Sequence, residues 1–226
     1  MLIDISVPFA PHIPVWPGDT AFHCGWTARR EHGASVNLGA LTMSAHAGTH
    51  ADAPLHVESD WAASESLPAQ VFVGAVLVIA LPGDAPASVV ITRAMLESLL
   101  APPTSASGAS TDVPPVIRVP QRLLCRTGYS VARGVFPEEW PALDAEAAEW
   151  LALRGLRLWG TDAPSVDAKS STSLPVHHVL FRQSAYVLEN LALQHVEPGP
   201  YELIAQPLAV VGADAAPVRA LLRRRP

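Results

Sequence analysis

The sequence is poor in charged residues and in clustered basic residues, and each shortage excludes a class of protein. Only 16% of its 226 residues are charged while 49% are hydrophobic, which excludes a disordered chain and leaves enough apolar side chains for a sizeable core. The net charge of −6 gives no electrostatic basis for binding nucleic acid, which requires clustered lysine and arginine. The one basic cluster, the arginines at positions 223–225, we interpret as a frayed terminal tail.

Cysteine and long apolar runs are also scarce, which bears on compartment and on membranes. Cys24 and Cys125 are the only cysteines, and their spacing fits neither a disulfide framework nor a CxxC motif, so we expect free thiols in the reducing cytoplasm. The longest apolar run, residues 71–81, is shorter than the roughly 20 residues of a membrane-spanning helix and indicates a buried strand. The N-terminus has no basic start followed by an apolar stretch, so no signal peptide is predicted.

Local patterns predict many strands and few helices. Alternating or β-branched segments predict strands at residues 2–7, 37–44, 70–81, 116–126, 156–160, 185–188 and 201–204. Helical spacing predicts helices at residues 92–100, 144–154 and 215–223, the first two capped by Thr92 and Asp144. We therefore predict the α/β class, a mixed β-sheet with outer helices. It would form a single domain over residues 1–226, with a flexible, proline- and serine-rich insertion at residues 101–115.

The most informative segment is SAHAGTHADAPLH, residues 44–56, which places three histidines and one aspartate in the spacing H-x-G-T-H-x-D-x-P-x-H. Imidazole nitrogen and carboxylate oxygen are the usual ligands of zinc and related divalent ions. Gly48 and Pro54 favour a turn over a helix, and an extended segment would point His50 and Asp52 to the same side. Hydrogen-bonded surface histidines are the alternative, but four such side chains so close together favour a metal site.

This motif predicts a metal ion held by His46, His50 and Asp52. Such an ion lowers the pKa of a bound water to about 7 and so supplies a nucleophile at neutral pH. His56 lies beyond the predicted ligands and, if it is not a ligand, can move a proton between that water and a leaving amine. Together these features predict a metal-dependent amidohydrolase.

A second group of possible ligands lies downstream, in HHVL and VLEN. In a strand the adjacent His177 and His178 would point to opposite faces, so we expect one of them to join the site. Glu189 has apolar neighbours, and a buried carboxylate needs a partner such as a metal or a base. A salt bridge at a strand end is the alternative. With Asp52 as a bridging carboxylate, these residues predict a second metal ion.

Two further features each allow two interpretations. Trp16, in PVWPGD, is either a core anchor or an aromatic wall for a substrate, because rigid loops often carry binding groups. The polar residues of GTDAPSVD either hydrogen-bond to metal ligands or form an ordinary turn with aspartate caps: Asp162, Ser165 and Asp167. Neither Ser44 nor Ser184 lies in a G-x-S-x-G motif, which argues against a serine hydrolase.

The segment HAGTHADAPLH is similar to the signature of the cyclase-like metal-dependent hydrolases, the family that includes bacterial kynurenine formamidase (arylformamidase). The resemblance extends over nearly the whole chain. It includes the opening LIDISVPFAPHIPVWPGD, the central GTDAPSVD, the pair HHVL and VLENL, and the closing GPYELIAQPLAVVGADAAPVRALLR. The long 101–115 stretch and the VDAKSS sequence depart from the family pattern, but they affect loop shape and not the predicted ligands.

The resemblance implies a cytoplasmic homodimer with a swivelling β/β/α fold and two zinc ions per chain, with manganese as an alternative metal. His177 is preferred to His178 because of its spacing to Glu189, and Trp16 would contact the substrate ring. His56 would be the proton donor and acceptor. The implied metal ligands are His46, His50, Asp52, His177 and Glu189.

The reaction that the resemblance implies is cleavage of N-formyl-L-kynurenine to L-kynurenine and formate, a step of tryptophan degradation. A metal-activated hydroxide would attack the formyl carbon, and His56 would protonate the departing aniline nitrogen. Two alternatives stay open: a related hydrolase of another small amide such as isatin, and a metal-binding protein without turnover. The presence of His56 beside a full ligand set argues against the second, because a scaffold needs no acid–base group.

Overall fold

The computed structural model describes residues 1–101 and 117–224. The helices are short and few: α1 (Arg93–Leu100), α2 (Ala145–Leu153) and α3 (Pro175–Arg182). The strands are β1 (Leu2–Asp4), β2 (His23–Ala28), β3 (Leu38–Thr42), β4 (His50–Asp52), β5 (Val73–Ala80), β6 (Val90–Ile91), β7 (Arg122–Arg126), β8 (Ala142–Leu143), β9 (Leu158–Thr161), β10 (Tyr186–Glu189), β11 (Gly199–Ile204), β12 (Ala215–Pro217) and β13 (Leu221–Arg224).

Nine of these strands form one mixed sheet in the order β1-β13-β11-β5-β7-β9-β10-β4-β12. Its central strands β5, β7, β9 and β10 run parallel, and antiparallel strands extend the sheet on both sides. Parallel neighbours need long crossover connections, usually helical, and α1, α2 and α3 each lie between two successive parallel strands. The strand pairs β2–β3 and β6–β8 form two small separate sheets.

The side chains of β7 show that both faces of the sheet are covered. Leu123 and Cys125 are buried in one apolar cluster, whereas the intervening Leu124 is buried in another. Because successive side chains of a strand point to opposite faces, the two clusters lie on opposite sides of the sheet. The first cluster contains Leu96 of α1 and Leu151 of α2, so it is the face that the helices cover. The predicted α/β class, a mixed sheet with outer helices, is confirmed.

Two of the predicted helices form where the sequence places them, with the predicted caps. The Thr92 side chain accepts a hydrogen bond from the Met95 backbone N–H at the start of α1. Asp144 accepts one from the Ala147 N–H at the start of α2. Each cap satisfies one of the N–H groups that a helix leaves without an intrahelical partner.

The predicted C-terminal helix over residues 215–223 is wrong, because this segment forms β12 and β13. β13 pairs with both β1 and β11, and this tertiary pairing overrides the helical propensity of alanine and leucine. The frayed-tail interpretation is also wrong for Arg223, whose Nε donates to Glu202 Oε2 at 2.9 Å within the sheet. Residue 225 lies outside the described residues.

The remaining predictions about the chain concern its thiols, its membrane spans and its insertion. Cys24 is exposed and Cys125 is buried, and both are free thiols. Among the described helices, none is long and apolar enough to cross a membrane. The predicted flexible insertion at 101–115 lies, apart from its first residue, outside the described residues.

Candidate metal centre

The antiparallel pair β4–β10 places three acidic or imidazole side chains on one face of the sheet. His50 lies directly opposite Glu189 in the strand register, and Asp52 follows His50 by two residues, so all three point the same way. Thr49 fixes this edge, because its Oγ1 accepts from the Val7 N–H at 2.8 Å and donates to the Asn190 carbonyl at 2.7 Å. The predicted extended geometry of His50 and Asp52 is therefore observed.

The turn before β4 brings His46 back over the same face. Gly48 has a positive φ of 60°, and a Cβ at this position would lie 3.1 Å from Phe9 Cε1 and 3.2 Å from Ile13 Cδ1. Glycine alone combines this backbone conformation with the close contact. The Gly48 carbonyl in turn accepts a hydrogen bond from His50 Nδ1 at 2.9 Å.

The two histidines of the second group lie on helix α3 and not in an extended segment, whereas Glu189 lies on β10. Pro175 opens α3, where its fixed φ and missing N–H suit the first helical position. The Asp167 carboxylate accepts hydrogen bonds from the N–H groups of Val176 and His177, and so caps buried N–H groups in the first turn of this short helix. The same carboxylate accepts from His177 Nδ1 at 2.7 Å.

The helix separates the two adjacent histidines. His177 is buried and faces the β4–β10 side chains, which agrees with the preference for it over its neighbour. His178 points elsewhere: its Nδ1 lies 3.9 Å from Glu58 Oε1 and its ring lies 5.7 Å from the Trp61 ring. Successive helix residues are about 100° apart, so adjacent side chains diverge as they would in a strand.

Asp52 lies at the centre of the resulting cluster. Its Oδ1 lies 3.1 Å from Nδ1 of His46 and 3.2 Å from Nε2 of His50. Its Oδ2 lies 3.1 Å from Nε2 of His177. Glu189 closes the other side, with carboxylate oxygens 3.5 Å from His50 Nε2 and 3.4 Å from His177 Nε2. The structure thus brings together all five side chains for which ligand roles were predicted.

Each histidine of the cluster is anchored through its outer nitrogen. His50 Nδ1 donates to the Gly48 carbonyl, and His177 Nδ1 donates to Asp167. His46 Nε2 donates to Asp214 Oδ2 at 2.9 Å. These bonds put the proton of each neutral ring on the outer nitrogen, and the inner lone pair then faces the carboxylates.

This arrangement fits a metal ion. His50 Nε2 and Asp52 Oδ1 are buried and have no hydrogen-bond partner among the described residues. Lone pairs of nitrogen and carboxylate oxygen repel each other unless a proton or a cation lies between them. Imidazole nitrogens and carboxylate oxygens are the ligand types that zinc prefers. Within the part of the chain that the structure describes, three possible ligand atoms lie within 4.8 Å of one another in two groups: His46, Asp52, His56 and His50, Asp52, Glu189.

Protons take the place of the cation when the cluster holds no metal. Burial opposes charging of His46 and His50, but the Asp52 carboxylate raises the pKa of His46 to about 10 and that of His50 to about 9. Burial also opposes charging of His177, but its hydrogen bond to Asp167 helps to raise its pKa well above the ordinary value. A metal ion and protons therefore compete for the same nitrogen atoms.

His56 lies at the edge of the cluster with a different set of contacts. Its ring lies 4.4 Å from that of His46 and 5.7 Å from that of His177, measured between centroids. Its Nδ1 lies 3.4 Å from Oδ2 of Asp214, and its side chain is 28% exposed. The hydrogen bonds from His46 and His56 lower the pKa of Asp214 below its usual range. Asp214 was not among the predicted site residues, because its local context GADAAP carries no recognisable motif.

The GTDAPSVD residues divide between two interpretations. Asp167 contacts the cluster directly through His177. Asp162 instead accepts hydrogen bonds from Thr127 and Gly128, and its role is to hold the loop after β7. Ser165 Oγ accepts from the Asp167 N–H at 3.2 Å. Both interpretations of this segment therefore apply, each to different residues.

A cavity of about 370 Å³ opens above the cluster, and Trp16 forms part of its wall. Trp16 is 41% exposed and packs edge-on against Phe136 at 5.5 Å and Trp140 at 5.7 Å between ring centroids. Trp140 Nε1 donates to the Asp167 carbonyl, which ties this aromatic group to the residue that orients His177. Trp16 is therefore a wall residue and not a core anchor. Sequence reasoning did not single out Phe136 and Trp140.

Comparison with known proteins identifies the family. The model of the Cyclase family matches residues 3–168. The chain belongs to the Cyclase family. A kynurenine formamidase of Salinibacter ruber is 44% identical to this family member over 231 residues, which cover 100% of the chain and 98% of the relative. A kynurenine formamidase of Bordetella avium is 41% identical over 222 residues and covers 98% and 97%.

Solved structures share the fold of this Cyclase-family chain. One is described as a potential metal-dependent hydrolase with cyclase activity, with a TM-score of 0.77, 27% identity, and coverage of 100% of this chain and 99% of that one. An isatin hydrolase bound to the product analogue thioisatinate has a TM-score of 0.79 and covers 98% and 91%, but it is only 21% identical. At that identity, the likeness establishes the fold alone.

Proposed function

We propose that this chain is a metal-dependent amidohydrolase that cleaves N-formyl-L-kynurenine to L-kynurenine and formate. The observation that carries the proposal is the convergence of three imidazoles and two carboxylates beneath a cavity with an aromatic wall. Full-length identity of 44% with a kynurenine formamidase supports the choice of substrate.

The proposed ligands are His46, His50, Asp52, His177 and Glu189, and with two ions the Asp52 carboxylate would be near enough to the other side chains of both groups to serve both. Zinc suits this set, two per chain, and manganese is the alternative. When bound, such an ion supplies Lewis-acid polarisation and lowers the pKa of a water molecule. The protein orients the ligands through the carbonyl of Gly48 and the carboxylates of Asp167 and Asp214.

His56 is the proposed proton donor and acceptor. Its Nδ1 faces Asp214, which leaves Nε2 to take a proton and to return it to the aniline nitrogen as the C–N bond breaks. His50 is fully buried, but His56 is partly exposed and can exchange a proton with a substrate or water in the cavity. A ring nitrogen of His56 also lies close enough to His46 and Asp52 to act as a metal ligand. The metal content of a His56 variant distinguishes a ligand role from an acid–base role.

The cavity wall suits an aryl formamide. Trp16 and Phe136 present apolar ring surface close to the cluster, and edge-to-face packing between them holds the indole in position. A benzene ring against this wall would place its ortho-formamide group over the cluster. Burial of the ring would also exclude water from the reacting carbon.

We further propose a single cytoplasmic domain that forms a homodimer. The hairpin of β2 and β3 supports the dimer, because Trp26, Leu38 and Leu41 are 52%, 52% and 64% exposed on it. Of these, Trp26 and Leu41 share one face of the hairpin, and exposed apolar side chains on a common face are typical of an interaction site. The two free thiols are compatible with a reducing compartment. Light scattering of the purified protein tests the dimer.

The decisive experiment is hydrolysis of N-formyl-L-kynurenine by purified protein, with and without chelator and with zinc restored. Turnover that the chelator abolishes and zinc restores is the expected result. Absence of turnover by zinc-loaded protein would remove the formamidase assignment. Parallel assays with isatin test the alternative hydrolase, and inactivity with both substrates would favour a metal-binding protein without turnover.

A further inference from the structure

The cavity contains one charged side chain that the proposed chemistry does not use. Among the described residues that line it, the ionisable ones are His46, His50, His56, Glu189 and Asp19. The first four belong to the proposed ligands or to proton transfer. Asp19 remains, with no ion-pair partner within the described part of the chain.

A tight turn joins Asp19 to the aromatic wall. The Asp19 N–H donates to the Trp16 carbonyl at 2.9 Å, and Gly18 between them has φ of 90°. Pro17 followed by a glycine with positive φ is typical of a type II turn, whose conformation both residues favour. The Asp19 carboxylate is also held, because its Oδ1 accepts from the Thr20 N–H at 2.6 Å. One tight turn thus places an indole ring and an exposed carboxylate at the same cavity.

No lysine or arginine balances this carboxylate among the described lining residues. Lys169 contacts the Phe136 ring at 5.8 Å, but its Nζ is paired with Glu138 at 3.1 Å. The other polar lining side chains include the hydroxyls of Ser171 and Thr172. A cavity with apolar walls and a single unpaired carboxylate favours a ligand that combines a ring with a cationic group.

We propose that Asp19 is a specificity-determining residue that binds the α-ammonium group of the substrate, so that this site selects aryl formamides carrying an amino-acid side chain. The inference rests on the proposed function and narrows its substrate class. The ring lies against Trp16 and the ammonium group pairs with Asp19, three residues along the same turn. The substrate carboxylate is left to Ser171, whose Oγ accepts from the Leu174 N–H and keeps its own hydrogen free to donate. Isatin has no ammonium group and gains nothing from this contact.

The test compares N-formyl-L-kynurenine with its des-amino analogue, 4-(2-formamidophenyl)-4-oxobutanoate, which lacks only the ammonium group. Asp19→Asn removes the charge and keeps an oxygen for the Thr20 N–H. Asp84→Asn is the matched control, because it removes one charge from an exposed position outside the cavity lining. We expect Asp19→Asn to raise KM for N-formyl-L-kynurenine about three- to tenfold with little change in kcat, as for a partly screened ion pair. KM for the analogue should stay the same or fall.

Three results would overturn the proposal, and two of them concern the variants. One is an equal rise in KM for both compounds in Asp19→Asn, and the other is the same selective rise in Asp84→Asn. Failure of the proposed function looks different, since zinc-loaded wild-type protein would then hydrolyse neither formamide, and the role of Asp19 would fall with it. Hydrolysis of the analogue by wild-type protein with a kcat/KM equal to that for N-formyl-L-kynurenine would keep the formamidase chemistry and reject ammonium selection.

Discussion

Oδ2 of Asp214 lies 3.4 Å from Nδ1 of His56, and the same oxygen accepts a hydrogen bond from His46. Asp214 immediately precedes β12, and its carbonyl accepts from the Ala53 N–H at 2.9 Å, which joins this loop to the end of β4. One carboxylate therefore orients a proposed ligand and the proposed acid–base group together. Such outer contacts of a metal site fix the tautomer and the direction of the imidazoles.

Replacement of Asp214 by Asn is expected to lower kcat about 10- to 100-fold, the usual cost of losing a partner that orients a site histidine. The amide oxygen of Asn can still accept a hydrogen bond, but the amide lacks the negative charge that stabilises the His46 and His56 imidazoles. The measurement is kcat in wild-type and His56→Ala backgrounds, together with zinc content. If Asp214 acts through His56, the substitution costs little more in the His56→Ala background. If Asp214→Asn lowers kcat as much in the His56→Ala background as in the wild-type background, and zinc is lost, then Asp214 acts through His46 instead.

Replacement of His56 by Ala is expected to lower kcat about 10²- to 10⁴-fold, the range for loss of a general acid–base group. Zinc content should stay at the wild-type value, because five other side chains supply the proposed ligands. Elemental analysis of the dialysed protein and steady-state kinetics provide the two measurements. Loss of one zinc per chain would make His56 a ligand, as its proximity to His46 and Asp52 permits.

Replacement of His177 and of His178 provides a matched pair, because the two residues are adjacent on α3 and only His177 faces the cluster. His177→Ala should lose one zinc per chain and most activity. His178→Ala removes an imidazole of the same helix and should keep both zinc ions and near-normal kcat/KM. Equal metal loss in the two variants would indicate a general disturbance of α3 and would contradict a ligand role that belongs to His177 alone.

The sequence predicts most of the metal centre because its residues are close together along the chain. The segment 44–56 supplies His46, His50 and Asp52 within one turn and one strand, so local spacing suffices to group them. Asp214 reaches the site only through the pairing of β12 with β4, a contact between distant segments that local patterns do not contain. The same cause explains the wrong helix at 215–223. Its two strands, β12 and β13, form through backbone pairing with strands that are distant in the sequence.

The helix that carries His177 was not predicted, for a different reason. Its segment PVHHVLFR is short, and a run of apolar and aromatic residues suits a strand or a buried helix equally well. Pro175 at the first helical position was the available signal. Asp167 lies eight residues before Pro175, so its role as the cap of this helix is visible only in the folded structure.

Metal-free protein is expected to lose stability as the pH rises above neutrality. The pKa of His50 is raised to about 9 and that of His46 to about 10 in the fold, whereas both groups would have a pKa of about 6.5 when unfolded. Between these values the folded chain binds more protons than the unfolded chain, so its stability is full below pH 6.5 and falls as the pH rises through 9 to 10. Bound zinc displaces those protons and removes this dependence. Thermal melts of chelator-treated and zinc-loaded protein from pH 6 to pH 10 measure the difference. A constant melting temperature for chelator-treated protein over this range would show that Asp52 does not hold these histidines in the charged form.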